Sequence, residues 1–336
     1  MTLLIDMHFL SPTLSGAVSQ EETYVTTILG ETIADLFTSA VKLTLRGQKV
    51  SPRGMATLEL LDVRLQLAQP RARLLSAPPA RVLNTAFAVA ECVWILSGSD
   101  DPWIYGYNSR LRQFAEDDGI LRGAYGPRMR RWAGHIDQLA QVLTTLRADP
   151  DSRRAVIQLY DPIRDGGGHR DVPCTLGYRF HLRHGRLDMV TTMRSNDLWL
   201  GFPYDVFTAT VLHELMAAWL GAELGTYRHH VDSLHLYERD LEAAATLAQI
   251  GASQVMASLW TPWEHFDELL AAVQAGEPVG HQGWDAMTAV LVSYRNWKRG
   301  ERTDAVQATG GIEGPLGAGL RTWYETLLND APVVIA

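Results

Sequence analysis

Five short stretches set chemically competent side chains into apolar text. Glu91 stands inside LNTAFAVAECVWILSG, and Pro173-Cys174 precedes a strand-like run. Arg194-Ser195-Asn196-Asp197 closes another such run, Asp205 opens a helical pattern, and His235-Leu236-Tyr237 ends a further strand. A thiol is a nucleophile once ionised, which needs positive charge nearby. A carboxyl on an apolar helix should have a raised pKa, which suits proton transfer near neutral pH. Each residue also has an ordinary use: a single cysteine fills core space, Asp205 can cap a helix, and Glu91 can pair with an arginine. Taken singly, none of them decides a function.

Generic motifs narrow the field by failing. His213-Glu214 lacks the second histidine of a metalloprotease, and GPLGAG near residue 314 has the wrong order for a dinucleotide fingerprint. Neither the phosphate loop nor the nucleophile elbow occurs. With two cysteines, Cys92 and Cys174, a disulfide framework and a four-cysteine zinc site are excluded, and no metal is read from the sequence. The chain has 336 residues with 30 Lys+Arg against 38 Asp+Glu, a formal charge of −8. That balance argues against a general nucleic-acid or membrane binder, while a local arginine cluster can still hold a small anion. The first residues lack a basic signal-peptide region, and no apolar run reaches about 18 residues, so the sequence predicts a soluble, cytoplasmic chain.

The elements that must position these residues follow from periodicity. A helix is predicted from about Thr26 to Leu45, and two strands from Ala56 to Leu67. LNTAFAVAECVWILSG reads as a buried helix that closes at Gly98 with one anomalous charge, Glu91. Residues 99–132, rich in Gly, Asp, Arg and Tyr, read as irregular structure with short helices. AVIQLY, GYRFHL and LDMVTTMRS read as strands joined by turn residues such as RHGR. A helix follows from Val206, then a strand carrying HHVDSLHLY, then a helix from about Glu238 to Ile250. Without internal repeats or strict strand–helix alternation, the expectation is a single α+β domain over residues 1–336 with a mixed or antiparallel sheet.

Taken in order, DSRRAVIQ, DVPCTLGYRFHL, RSNDLWLGFPYDVFTATVLHELMA, DSLHLYERD and the tail APVVIA resemble the thymidylate synthase family from about Arg53 to the C-terminus. The resemblance implies that family's α+β fold, a mixed sheet packed by helices, and a two-fold homodimer whose sheets stack across the interface. It implies 5,10-methylenetetrahydrofolate as the one-carbon donor and a pyrimidine nucleoside monophosphate as substrate. Cys174 matches the nucleophile that adds to C6, and Arg194 the residue that holds both thiolate and phosphate, with Ser195 beside it. Arg53 matches the mobile phosphate arginine, and Arg153 and Arg154 match the pair donated from the other subunit. Planar guanidiniums suit a phosphate dianion. His235 and Tyr237 match the pair on the sugar 3′-hydroxyl, and Glu91 the acid that manages protons and ordered water at the pyrimidine 4-position. Asp197 and Gly201 match pterin contacts, and the tail matches the flap over the folate.

The departures carry the substrate reading. Pro203-Tyr204-Asp205 stands where deoxyuridylate-methylating members have Pro, an aromatic and Asn. A side-chain amide suits uracil, which offers one donor and one acceptor. An ionised Asp205 suits a cytosine adduct, which offers two donors, and faces O4 of uracil acceptor to acceptor. The same change marks the family's deoxycytidylate hydroxymethylases. Thr175 replaces a histidine after the nucleophile, and Leu111 and Phe114 fall where methylating members carry two tryptophans against the folate. In the shared mechanism an exocyclic methylene remains on the ring bonded to Cys174; hydride makes it methyl and water makes it hydroxymethyl, and a looser, wetter folate side favours water. The expectation is therefore (d)CMP 5-hydroxymethylation, with Ser195 tilting it towards the deoxynucleotide. A C5 methylase of dCMP or dUMP is the alternative, separated by whether dihydrofolate forms. An idle relative that binds nucleotide or RNA is the more remote one, separated by absence of tritium release from C5.

Overall fold

The computed structural model describes residues 26–247 and 250–329. Eight strands among them form one mixed sheet: β1 (Thr26–Gly30), β2 (Gln48–Val50), β3 (Thr57–Leu67), β4 (Val156–Gln158), β5 (Thr175–Arg183), β6 (Arg186–Met193), β7 (Asn196–Asp197) and β8 (Glu223–Tyr237). The order is β1-β3-β8-β6-β5-β4, with β2 beside β3 and β7 beside β8. β6 and β8 run parallel, while β5 and β6 form an antiparallel hairpin. His184 and Gly185 both take positive φ (52° and 72°) between the paired Arg183 and Arg186, the turn geometry that matches the twist of a two-residue hairpin. The expected α+β class and mixed sheet are borne out.

The helices are α1 (Ile33–Thr44), α2 (Thr85–Leu96), α3 (Tyr125–Arg130), α4 (Gln138–Ala148), α5 (Pro162–Asp165), α6 (Phe202–Trp219), α7 (Leu241–Ala245), α8 (Phe266–Ala275), α9 (Gln282–Arg299), α10 (Arg302–Ala308) and α11 (Gly314–Leu328). α1 and α6 pack on the sheet, α2 packs on α6, and α8, α9 and α11 close over α2. Covered on all sides, α2 buries every residue except Glu91, and α6 every residue except Asp205 and Ala218. The side chain of Asn84 accepts from Phe87 N at 3.1 Å to cap α2, and its own backbone N–H donates to the Tyr204 hydroxyl at 3.1 Å. One residue thus starts α2 and ties it to the first turn of α6. Two polar side chains inside α6 have partners: His213 Nε2 meets the Leu187 carbonyl, and Glu214 pairs with the buried Arg73. Among the described residues, no helix is long and apolar enough to cross a membrane.

Three expectations need correction. Thr26–Gly30 is a strand paired in parallel with β3, not the start of a helix. Its β-branched Thr-Thr-Ile run favours extended backbone, and the helix begins only after Thr32, whose N–H donates to the Asp35 carboxylate at 2.8 Å. Ala56–Leu67 holds one strand rather than two. Asp62 takes a left-handed φ of 48°, yet Leu61 and Val63 keep one register against Ser233 and Val231, so the break in alternation is local. The helix expected to reach Ile250 ends at Ala245. The C-terminal tail 331–336 and the N-terminal residues 1–25 lie outside the described residues.

Candidate active site

The two acidic residues that break the burial of α2 and α6 face the same space. Glu91 of α2 and Asp205 of α6 line a cavity of about 150 Å³ together with Cys174 and Leu111. Its remaining lining includes the apolar Trp94, Ile95 and Leu121 and the polar Tyr125, Tyr178, Asp171 and Thr208. The sequence reading gave none of these seven a role in the chemistry. Asp171 lies in the DVPC stretch three residues before the nucleophile, and Trp94 and Thr208 each lie three residues after a carboxyl already singled out, one helical turn on.

Sheet register places the nucleophile. Cys174 immediately precedes β5 and Arg194 immediately follows β6, so the hairpin sets them opposite each other, and Arg194 N donates to the Cys174 carbonyl at 2.9 Å. The guanidinium then folds back along the same segment: Nε donates to Pro173 O at 2.9 Å and Nη2 to Val172 O at 3.0 Å. Thr175 N donates to the Tyr125 hydroxyl at 3.2 Å, fixing α3 to the start of β5. Gly123 N donates to the Asp171 carboxylate at 3.1 Å; a Cβ at Gly123 would come within 1.9 Å of Asp171 O, so this close approach requires glycine.

Burial dominates the electrostatics. It raises the Glu91 pKa to about 8, with the nearby Asp205 charge adding to the effect. It raises Asp205 to about 7, against a hydrogen bond from Asn196 that lowers it, with Asp197 raising it further. Glu91 is therefore protonated at neutral pH, and Asp205 is divided between its two forms. This modifies the expectation of a simply ionised Asp205. The Cys174 thiol is also raised: burial outweighs Arg194, and Asp205 and Asp171 raise it further while Arg53 lowers it. Burial and the two carboxylates thus outweigh the two arginines within this chain, and positive charge added to the site would favour the thiolate.

Around this centre, His235 is buried and meets Tyr237 edge to face at 5.1 Å. Asp197 Oδ1 accepts from Trp199 N at 2.9 Å and Leu200 N at 3.0 Å, shaping the turn from β7 into α6. Gly201 ends that turn, where a Cβ would stand 3.4 Å from both Asn196 Nδ2 and Asp205 Oδ2. Ser195 is half-buried on the same loop. Arg53 is exposed with a left-handed φ of 54°. Arg153 and Arg154 are exposed and do not line the Cys174 cavity of their own chain. Phe114 is 43% exposed and also stands outside the lining, unlike Leu111.

Comparison with known families gives a match to thymidylate synthase over residues 45–262. The chain belongs to the thymidylate synthase family. The match takes in the whole cavity lining; the helices from α8 onward lie beyond it. A deoxyuridylate hydroxymethyltransferase of Bacillus phage SP01 is 36% identical over 225 residues, covering 63% of this chain and 58% of the relative. A deoxyuridylate hydroxymethyltransferase of Pseudomonas phage M6 is 35% identical over 179 residues, covering 52% of this chain and 50% of the relative. The chain thus spans only about half the length of these thymidylate synthase relatives.

Proposed function

We propose that this protein hydroxymethylates C5 of a cytosine nucleoside monophosphate, (d)CMP, taking the carbon from 5,10-methylenetetrahydrofolate and the oxygen from water. The observation that carries the reading is the carboxyl of Asp205, placed in one cavity with Cys174 and Glu91 where the methylating branch has an amide. The site residues fit a folate: Trp94, Ile95, Leu111 and Leu121 form an apolar wall beside Cys174 on which a pterin can stack. When bound, methylenetetrahydrofolate supplies a one-carbon unit at the oxidation level of formaldehyde.

The chain's own residues do the rest. Arg194, Ser195 and Arg53 hold the phosphate, and His235 and Tyr237 hold the sugar 3′-hydroxyl. Cys174 releases its thiol proton to solvent and Sγ bonds to C6; the displaced π electrons reach N3, which takes a proton from Asp205 and leaves an electron-rich C5. Asp205, now ionised, accepts from both N3–H and the 4-amino group. After C5 bonds to the incoming carbon, loses its proton to solvent and is freed of the carrier, which departs as tetrahydrofolate, Glu91 orients water for addition to the exocyclic methylene; N3 then returns its proton to Asp205 as the Sγ–C6 bond breaks and releases the Cys174 thiolate. Leu111 in place of a larger aromatic leaves room for that water. A homodimer completes the phosphate site, with Arg153 and Arg154 donated from each subunit to its partner. Their charge is the additional lever on the raised Cys174 thiol.

One observation favours a second reading, the uracil nucleotide. Asp205 titrates near 7, and a protonated carboxyl can imitate the amide that pairs with uracil; the two phage relatives are named for deoxyuridylate. Asp205→Asn separates the two. If Asp205 selects cytosine, the variant shifts relative kcat/KM towards the uracil nucleotide by about a hundredfold or more. A wild type that already prefers dUMP at neutral pH, or a variant that gains nothing on uracil nucleotides, rejects the cytidylate assignment.

A further inference from the structure

Asp205 is the end of a buried chain of hydrogen bonds. Asn196 Nδ2 lies 2.8 Å from Asp205 Oδ2, and Asn196 Oδ1 lies 2.9 Å from His229 Nε2. His229 Nδ1 lies 2.8 Å from the Tyr227 hydroxyl, which lies 2.9 Å from Thr191 Oγ1. These four supporting residues are 0–3% exposed. Strand geometry assembles them. Tyr227 and His229 alternate onto the buried face of β8, Thr191 is the register partner of His229 on β6, and Asn196 begins β7, which also pairs with β8.

The direction of the chain follows from counting donors. An ionised Asp205 can only accept, so the Asn196 amide donates to it and turns its carbonyl to His229. His229 must then carry its proton on Nε2, leaving Nδ1 to accept from Tyr227, whose oxygen accepts from Thr191. Every group is satisfied. Reversing the chain needs a protonated Asp205 donating to Asn196 and ends with the Thr191 proton facing no acceptor among its hydrogen bonds, which is costly in a buried site. His229 is also held neutral, its pKa lowered to about 3 by burial, so it cannot take the Asp205 proton.

We infer that Thr191, Tyr227, His229 and Asn196 are positioning residues that hold Oδ2 of Asp205 as a fixed acceptor, so that any proton on this carboxyl sits on Oδ1. This rests on the reading that Asp205 faces the pyrimidine. A carboxyl free to carry its proton on either oxygen pairs with cytosine in one arrangement and with uracil in the other. A carboxyl with one oxygen committed as acceptor discriminates between them. Selection of the base is therefore built into β6, β7 and β8 and not into Asp205 alone.

The test is the ratio of C5 tritium-release rates, as kcat/KM, for cytosine and uracil nucleotides, measured across pH. His229→Leu should lower the wild-type ratio by about tenfold or more and move the Asp205 inflection upward from about 7, because the Asn196 donor is no longer held. Glu91 of α2, Asp197 of β7, Cys174, Tyr125 of α3 and Tyr178 of β5 also face Asp205 and stay in place. His229→Gln keeps a donor towards Asn196 and should restore both ratio and inflection. Tyr227→Phe frees the His229 tautomer and should give a smaller loss of ratio, which keeps the test available if His229→Leu does not fold. Equal losses on both nucleotides with an unmoved inflection would mean a merely structural role and overturn the inference, as would an unchanged ratio. A wild type that prefers uracil overturns the cytidylate reading alone, since the ratio should still collapse in His229→Leu. No tritium release from either base in the wild type overturns both.

Discussion

Glu91 carries a large upward shift: burial, with Asp205 nearby, holds its proton to about pH 8. In the unfolded chain a glutamate loses its proton near about 4.3. Between those values the folded chain binds a proton that the unfolded chain has released, so the Glu91 contribution to stability falls as pH rises through the window. Glu91→Gln removes that dependence. Its melting temperature should exceed the wild-type value by a margin that widens from about pH 5 to about pH 9, followed by thermal denaturation at several pH values. A margin that stays constant contradicts a buried, protonated Glu91. At this scale the sequence was informative where a charge stood inside an apolar helix, as with Glu91, and where a motif was quoted whole, as with Cys174 and Arg194. It was silent on His229, whose neighbour His230 carries the same side chain but points to the other face of β8.

At the scale of elements, the readable parts were those with one consistent period. α2 has apolar residues on all sides and a glycine at its end, with Gly98 at φ 75°. The β5–β6 hairpin has alternating strands and His-Gly in its turn. β1 is not legible locally, because the run into Ile33 mixes polar and apolar residues without a clean period and its place is fixed by pairing with β3, a partner distant in sequence. The same non-local pairing explains why the chemistry of the loop 194–201 was legible while its geometry was not. Asp197 caps the turn locally, while Gly201 gives clearance beside Asp205 of α6 and the pairing of β7 with β8 delivers Asn196 against Asp205.

At the scale of the molecule, the fold class is legible because motifs in fixed order span most of the sheet, whereas α8 to α11 fall in the long interval between DSLHLYERD and the tail APVVIA, where no motif stands. α8, α9 and α11 close over α2, the helix that carries Glu91. The exposed Arg153 and Arg154 belong to this scale too, since their proposed work is done in a partner. Mixing inactive Cys174→Ala chains with inactive Arg153→Ala chains should restore activity, because one site of the heterodimer has Cys174 and receives an intact Arg153. No recovery after verified subunit exchange would assign the arginine to its own chain. The central claim, water rather than hydride as the last reactant on a cytosine ring, is tested most directly by product mass. Purified protein is incubated with methylenetetrahydrofolate and each of CMP, dCMP, UMP and dUMP, and the nucleotides are weighed by mass spectrometry. The account predicts a gain of one CH2O unit on a cytosine nucleotide; a gain of one CH2 unit, or product on the uracil nucleotides in preference, would contradict it.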